Sequence, residues 1–296
     1  MSERDDIFSI DKQLVRRSFD RAAPSYDEHA VLQREVADRM QERLDYIKLK
    51  PQRILDVGSG TGYSSRALTK RYNDAQVISL DVAHAMLLRS RHQTSRLQRW
   101  KRKQHWLGGD AEALPLADNS VDMVFSNLTL QWCPDLDTVF REFYRVLKPE
   151  GLLMFSSFGP DTLKELRVAW QAVDDYNHVN AFLDMHDVGD ALMRAGFVTP
   201  VMDVEDITLT YNDIMTLMRE LKAIGAHNVT AGRPGGLMGR RRLKQLADAY
   251  EQFRHDDRLP VTYEVVYGHA WHLAQQDHKQ LPGGMTKVSV DAIQRH

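Results

Sequence analysis

Apolar residues in the first fifty positions recur at helical intervals. Ile10, Leu14 and Phe19 form a rough stripe closed by Pro24, and Leu32, Val36, Met40, Leu44 and Ile47 follow at mostly four-residue spacing until Pro51. From Arg53 short apolar runs alternate with amphipathic stretches. The runs at 54–57, 76–81, about 105–107, 121–126 and 151–158 read as strands. The stretches after Gly62, from Ala83 to about Leu97, and over 135–147 read as helices. Such alternation predicts a parallel sheet covered on both faces.

After Phe158 the rhythm loosens. Helices are expected over 162–170, 187–195, 213–224 and 239–254, with an extended but broken segment over 197–211 and a final strand over 261–272. A glycine-rich loop at 231–239 precedes the last helix. The pattern is that of an α/β protein with one Rossmann-like sheet: a helical lid over 1–50, then a domain over 51–296 into which a helical cap is inserted at about 211–260.

Composition removes several alternatives. The chain has 296 residues, 43 % hydrophobic and 27 % charged, with a formal net charge of −2, so no global field draws it to nucleic acid or to an anionic membrane. Its N-terminus, MSERDDIFSIDK, carries charges where a secretion signal needs an apolar stretch, and no apolar run reaches the length of a membrane span. A soluble cytoplasmic protein is expected. Cys133 is the single cysteine, and the histidines show no metal-ligand spacing, so neither an internal disulfide nor a metal is expected.

The sharpest chemical signal is Asp56-Val57-Gly58-Ser59-Gly60-Thr61-Gly62, between a strand and a helix. Its glycines permit a tight turn with main-chain N–H groups close to a ligand, and the helix N-terminus behind it favours an anionic group. In the dinucleotide fingerprint the third glycine would fall at position 63, which is Tyr63, so a nicotinamide cofactor is disfavoured. Asp81 ends the next strand, where a carboxylate can accept two ribose hydroxyls or simply cap a helix.

The loop resembles motif I of the class I S-adenosylmethionine (SAM)-dependent methyltransferases. That resemblance implies a mostly parallel seven-stranded sheet and S-adenosyl-L-methionine as cofactor. It further implies that Asp56 helps hold the cationic amino-acid end, that Gly58, Ser59 and Gly60 line the methionine portion with Gly62 closing the turn, and that Asp81 and Val82 meet the ribose. Asp110 and Ala111 would lie by the adenine amino group, and Asn127 and Leu128 at the active-site lip.

Three further stretches, at 19–33, 158–167 and 221–243, are similar to the malonyl-acyl carrier protein O-methyltransferase family, and the likeness runs from about residue 12 to 272. Ser59 departs from a frequent Cys in that family. The resemblance implies esterification of the free carboxylate of a malonyl thioester, carried by acyl carrier protein or coenzyme A, at the start of pimelate and biotin synthesis.

A malonyl carboxylate is ionised at neutral pH and needs no general base, so no nucleophilic side chain is expected, only groups that orient the acceptor. Tyr26 and Arg167 are the candidates, against the plainer readings of a packing tyrosine and a solvated helix arginine. Arg233, Arg240, Arg241, Arg242 and Lys244 could steer an acidic carrier protein or serve only solubility. The other basic run, from Arg89 to Lys103, falls at the opposite sheet edge and reads as a solvated face. Rival functions are a SAM enzyme acting on another small metabolite or quinone precursor, and a non-catalytic SAM-binding assembly factor.

Overall fold

A computed structural model describes residues 10–100, 103–226 and 239–272 and the strand residues 280–281 and 285–286. The N-terminal helices are α1 (Lys12–Ala22), α2 (Tyr26–His29) and α3 (Val31–Arg43). Then come β1 (Arg53–Val57), α4 (Tyr63–Arg71), β2 (Gln76–Asp81), α5 (His84–Gln93), α6 (Arg96–Trp100), β3 (Gln104–Gly108) and β4 (Val121–Ser126). The chain continues through α7 (Leu136–Val146), β5 (Leu147–Phe158), α8 (Lys164–Gln171), α9 (Met185–Arg194), β6 (Val198–Tyr211), α10 (Ile214–Ala223), α11 (Arg240–Tyr250) and β7 (Leu259–Trp271). The seven strands lie in the order β3-β2-β1-β4-β5-β7-β6. β1 to β5 pair in parallel, while β7 runs antiparallel to both of its neighbours.

Alternate residues of the central strands feed two cores, as a two-residue period requires. Ile54, Met123, Phe125 and Met154 join one cluster with α3, α8, α10 and α11. Leu55, Val57, Val124 and Phe155 join the other with α7 and α9. The density of apolar residues in these strands, despite single polar ones such as Ser79 and Asp122, reflects this burial on both sides. The inserted pair α10 and α11 thus packs on the face that also carries the N-terminal α3, so lid and cap meet over the C-terminal ends of the parallel strands.

Two expected elements are broken, each for a local reason. The helix expected from Ala83 to Leu97 ends at Gln93, because Thr94 is extended (ψ 132°) and its hydroxyl bonds Ser90 and Gln104. Ser95 then restarts the chain as α6 by accepting the Gln98 N–H at 3.2 Å. The break in β6 is a register shift between Val198 and Val201, where Thr199 takes φ +48° and Pro200 has no N–H to donate. Among the described residues no helix is long and apolar enough to cross a membrane.

Candidate active site

Each glycine of the β1–α4 turn answers a different constraint. All three have positive φ: +69° at Gly58, +53° at Gly60 and +83° at Gly62. A Cβ on Gly58 would lie 2.0 Å from Thr129 Oγ1, and one on Gly62 2.1 Å from Ser90 Oγ. One on Gly60 would meet only Tyr26 Cε1, at 4.0 Å. Gly58 and Gly62 therefore let protein pack on protein, whereas Gly60 keeps a space open beneath Tyr26.

Asp81 staples this turn to β2. One carboxylate oxygen accepts the Gly60 N–H and the other the Ala83 N–H, both at 2.8 Å. Burial pushes its pKa up to about 6 against the pull of those backbone donors. Each oxygen keeps a second lone pair, so the group can still accept two hydroxyls from a ligand. Asp56 is placed differently from the role the resemblance implies. It is 1 % exposed, does not line the cavity, and accepts the Ser65 hydroxyl at 2.5 Å behind the turn. Burial raises its pKa to about 7. Ser59 and Gly62 also stay out of the cavity, and the buried Ser59 hydroxyl has no hydrogen-bond partner among the described residues.

A cavity of about 660 Å³ opens above the turn, and Gly58, Gly60, Asp81, Val82, Asp110 and Ala111 border it. Asn127 and Leu128 border it as well. The Asn127 side chain is held on both sides, accepting from Ser156 at 2.8 Å and donating to the Gln33 carbonyl at 2.9 Å. Residues with the right donors and acceptors thus surround a space that fits SAM: an open glycine, a strand-end carboxylate, and a second carboxylate at the next strand.

Residues of the N-terminal helices α1 to α3 border this end of the cavity. Tyr26, the first residue of α2, has its phenol raised well above its ordinary pKa by desolvation and the Asp81 charge, so it remains a neutral donor. Phe19 sets its ring edge on Trp132, centroids 5.3 Å apart. Lys12 places its ammonium between Asp110 (2.7 Å) and Glu112 (2.5 Å). Asp27 accepts from Thr61 and Gln93 at 2.5 Å each and pairs with Arg89 at 3.3 Å, tying the lid to the glycine turn. Arg89 is therefore no solvated bystander of its basic run. Sequence reading missed Lys12, which stands in no motif, and passed over Asp27 within the 19–33 stretch, because their partners lie 34 to 100 residues away.

Beyond Asn127 the cavity becomes more apolar and aromatic, walled by Phe158 of β5, Trp170 of α8, Phe182 of the segment between α8 and α9, Met215 and Met218 of α10, and Leu243 of α11. Arg167 is not brought into it. Its guanidinium donates to the carbonyls of Pro160 (3.0 Å) and Thr162 (3.2 Å), and it borders a separate hollow of about 360 Å³ that shares the Trp170–His178 wall. Tyr26 and Arg167 therefore do not converge on one point. Arg240, Arg241, Arg242 and Lys244 are exposed along the start of α11, around the cavity-lining Leu243; Arg233 falls outside the described residues. Cys133 borders the cavity, but burial pushes its thiol up to about 12, with Glu112 and Asp110 adding to the shift, so no thiolate nucleophile is available.

Residues 55–155 match a family described as a methyltransferase domain. The chain is 56 % identical over 285 residues to a malonyl-[acyl-carrier protein] O-methyltransferase of Methylovorus sp., covering 96 % of each chain. It is 58 % identical over 269 residues to the protein of that name from Gallionella capsiferriformans, covering 89 % of this chain and 92 % of the relative. Among solved structures, the YcgJ protein of Bacillus subtilis superposes with a TM-score of 0.56 at 14 % identity, over 79 % of this chain and 98 % of that one. The [4+2]-cyclase SpnF does so with a TM-score of 0.51 at 21 % identity, over 81 % of this chain and 86 % of that one. At those identities the likeness concerns the fold, the class I methyltransferase architecture.

Proposed function

The chain belongs to the malonyl-[acyl-carrier protein] O-methyltransferase family, and from that membership we infer that it transfers the methyl group of SAM to the free carboxylate of a malonyl thioester borne by acyl carrier protein. The observation that carries the reading onto these residues is the continuity of one cavity, from Gly60 and Asp81 at the sheet edge to the apolar wall of the cap.

SAM, when bound, supplies an electrophilic methyl and a neutral thioether leaving group. The chain's own residues do the rest. Asp81 would accept the ribose hydroxyls and Asp110 the adenine amino group, while Gly60 leaves the methionine portion room to approach the backbone. Tyr26 and Phe19 would shut this end from water. Esterification joins an anion to a cation and leaves neither charge, so a water-poor apolar wall favours the less charged transition state over the separated ions. The ester product is neutral, which lets it enter apolar acyl tunnels where a free carboxylate is costly to bury.

Incubation with labelled SAM and, separately, malonyl-acyl carrier protein, malonyl-coenzyme A or free malonate tests this. Label should appear as a methyl ester on the thioesters. A protein that binds SAM yet labels neither thioester would be some other SAM-dependent protein.

The carrier is assigned to the exposed cations of α11. Carrier proteins are acidic, and Arg240, Arg241 and Lys244 flank the cavity-lining Leu243. Changing these three to Glu should lower kcat/KM for malonyl-acyl carrier protein by roughly 10- to 100-fold at low salt, with the deficit shrinking as salt rises. Malonyl-coenzyme A should lose much less. An equal deficit at every ionic strength would move the docking face elsewhere.

A further inference from the structure

We propose that His178, anchored by Asp174 and stacked on Trp170, is the group that grips the acceptor carboxylate. The proposal rests on the malonyl thioester reading and deepens it, for a carboxylate brought into an apolar cavity needs a charged donor there. Five cationic or basic side chains border the cavity among the described residues: Lys12, His29, His178, Arg219 and Lys222. Lys12 is held by Asp110 and Glu112 at the cofactor end. The Nδ1 of His29 pairs with the Ser25 carbonyl within the lid. Arg219 and Lys222 are exposed on α10, and Arg219 donates to the Met215 carbonyl and the Thr216 hydroxyl.

His178 differs from all four. Its side chain is only 7 % exposed, and Nε2 lies 2.7 Å from Asp174 Oδ1. The Asp174 side chain is itself only 11 % exposed. Burial works to raise its pKa, but His178, the Tyr176 N–H and Arg242 outweigh that and hold it below the ordinary range. An ionised carboxylate only accepts, so Nε2 carries a proton towards Asp174; Nδ1 can donate to the acceptor carboxylate only when it carries a proton as well, so the complex proposed is an imidazolium held between two carboxylates. The imidazole lies face to face with Trp170, centroids 3.7 Å apart and planes 10° from parallel, which fixes the plane of the ring. Arg242 Nε approaches the other Asp174 oxygen at 3.9 Å, so the grip is built against the first turn of the docking helix.

The test compares the wild type with His178→Gln and Asp174→Asn, the second variant preserving shape should the first fold poorly. Methyl transfer to malonyl-coenzyme A is measured beside SAM binding by calorimetry and inhibition by acetoacetyl-coenzyme A, a neutral acceptor mimic of nearly the same shape. His178→Gln should raise KM for malonyl-coenzyme A roughly 10- to 100-fold, the worth of one charge-assisted hydrogen bond. Asp174→Asn should reproduce most of that loss. SAM affinity and acetoacetyl-coenzyme A inhibition should stay within about twofold of wild type, since neither ligand presents an acceptor carboxylate. Equal weakening of the malonyl and acetoacetyl thioesters would make His178 a contact of the pantetheine arm and overturn the proposal, as would a parallel fall in SAM affinity. A wild-type enzyme inert toward malonyl thioesters would instead remove the function on which the proposal stands.

Discussion

Gly58→Ala is expected to abolish measurable SAM binding and to lower the melting temperature by roughly 5–15 °C. Two costs combine. The backbone has φ +69°, where a Cβ is strained by roughly 1–2 kcal/mol. The new Cβ would also stand 2.0 Å from Thr129 Oγ1. Thr129 cannot easily retreat, because that hydroxyl lies 3.2 Å from both the Val57 and Asn127 carbonyls. Any shift that relieves the clash therefore moves β1, the turn and the lip residue Asn127 together. Gly60→Ala is the informative contrast: its Cβ meets nothing closer than 4.0 Å, so stability should fall less while SAM binding is still lost to the methyl filling the space under Tyr26. Calorimetry and thermal melts on both variants separate the two effects. Wild-type affinity in Gly60→Ala would show that the methionine portion does not pass there.

The sheet was legible because buried parallel strands write themselves as short, densely apolar runs: β2 and β4 begin and end at the expected residues 76–81 and 121–126. Helix ends were less so. The stop at Thr94 depends on Gln104, ten residues away and on another element, which no periodicity records. The glycine-loop spacing is a local property, and the family resemblance it carries pointed to Asp81, Asp110 and Asn127, which do border the cavity. Asp56 was harder, because strand alternation says which face a residue takes but not which hydroxyl waits behind it; Ser65 captures its carboxylate.

The acceptor side shows the limit most clearly. Arg167 follows β5 as expected, but α8 is turned by Leu163 at φ +58° and locked by Glu165, which accepts both the Thr262 N–H (3.0 Å) and its hydroxyl (2.5 Å). That rotation points Leu166 and Trp170, one helical turn apart, into the cavity and leaves Arg167 to bond the carbonyls behind it. His178 stands in no motif, and its i,i+4 spacing from Asp174 is too common to single it out. Its meaning comes from Asp174 and Trp170, four and eight residues earlier, which meet it in the irregular segment past the end of α8.

Asp81→Asn should weaken SAM binding by roughly 100-fold, since hydrogen bonds to a buried carboxylate are worth roughly 1.5–3 kcal/mol each and the amide offers one acceptor where the carboxylate offers two. The pH dependence supplies a sharper test, because binding and folding respond with opposite signs. In the unliganded protein burial holds the pKa of Asp81 at about 6, above the ordinary 3.8. The folded chain thus takes up a proton more readily than the unfolded chain, and this group's contribution to stability is present at low pH and lost as pH rises through about 6. Gripping ribose hydroxyls, and sitting near a sulfonium, instead requires the ionised form. Lowering the pH from 8 to 5 should therefore weaken SAM binding about 10-fold, the fraction of Asp81 ionised falling to about a tenth, while the same change favours the apo fold through this residue. Asn at this position removes both responses: SAM affinity becomes low and much flatter across that range, and the apo protein at pH 8 no longer carries the cost of a buried charge. Asp56, which lies nearby with a pKa of about 7, remains in the variant and accounts for whatever slope in stability persists. A steep loss of affinity below pH 6 that survives in Asp81→Asn would show that some other group titrates on binding, and the ribose contact would have to be reassigned.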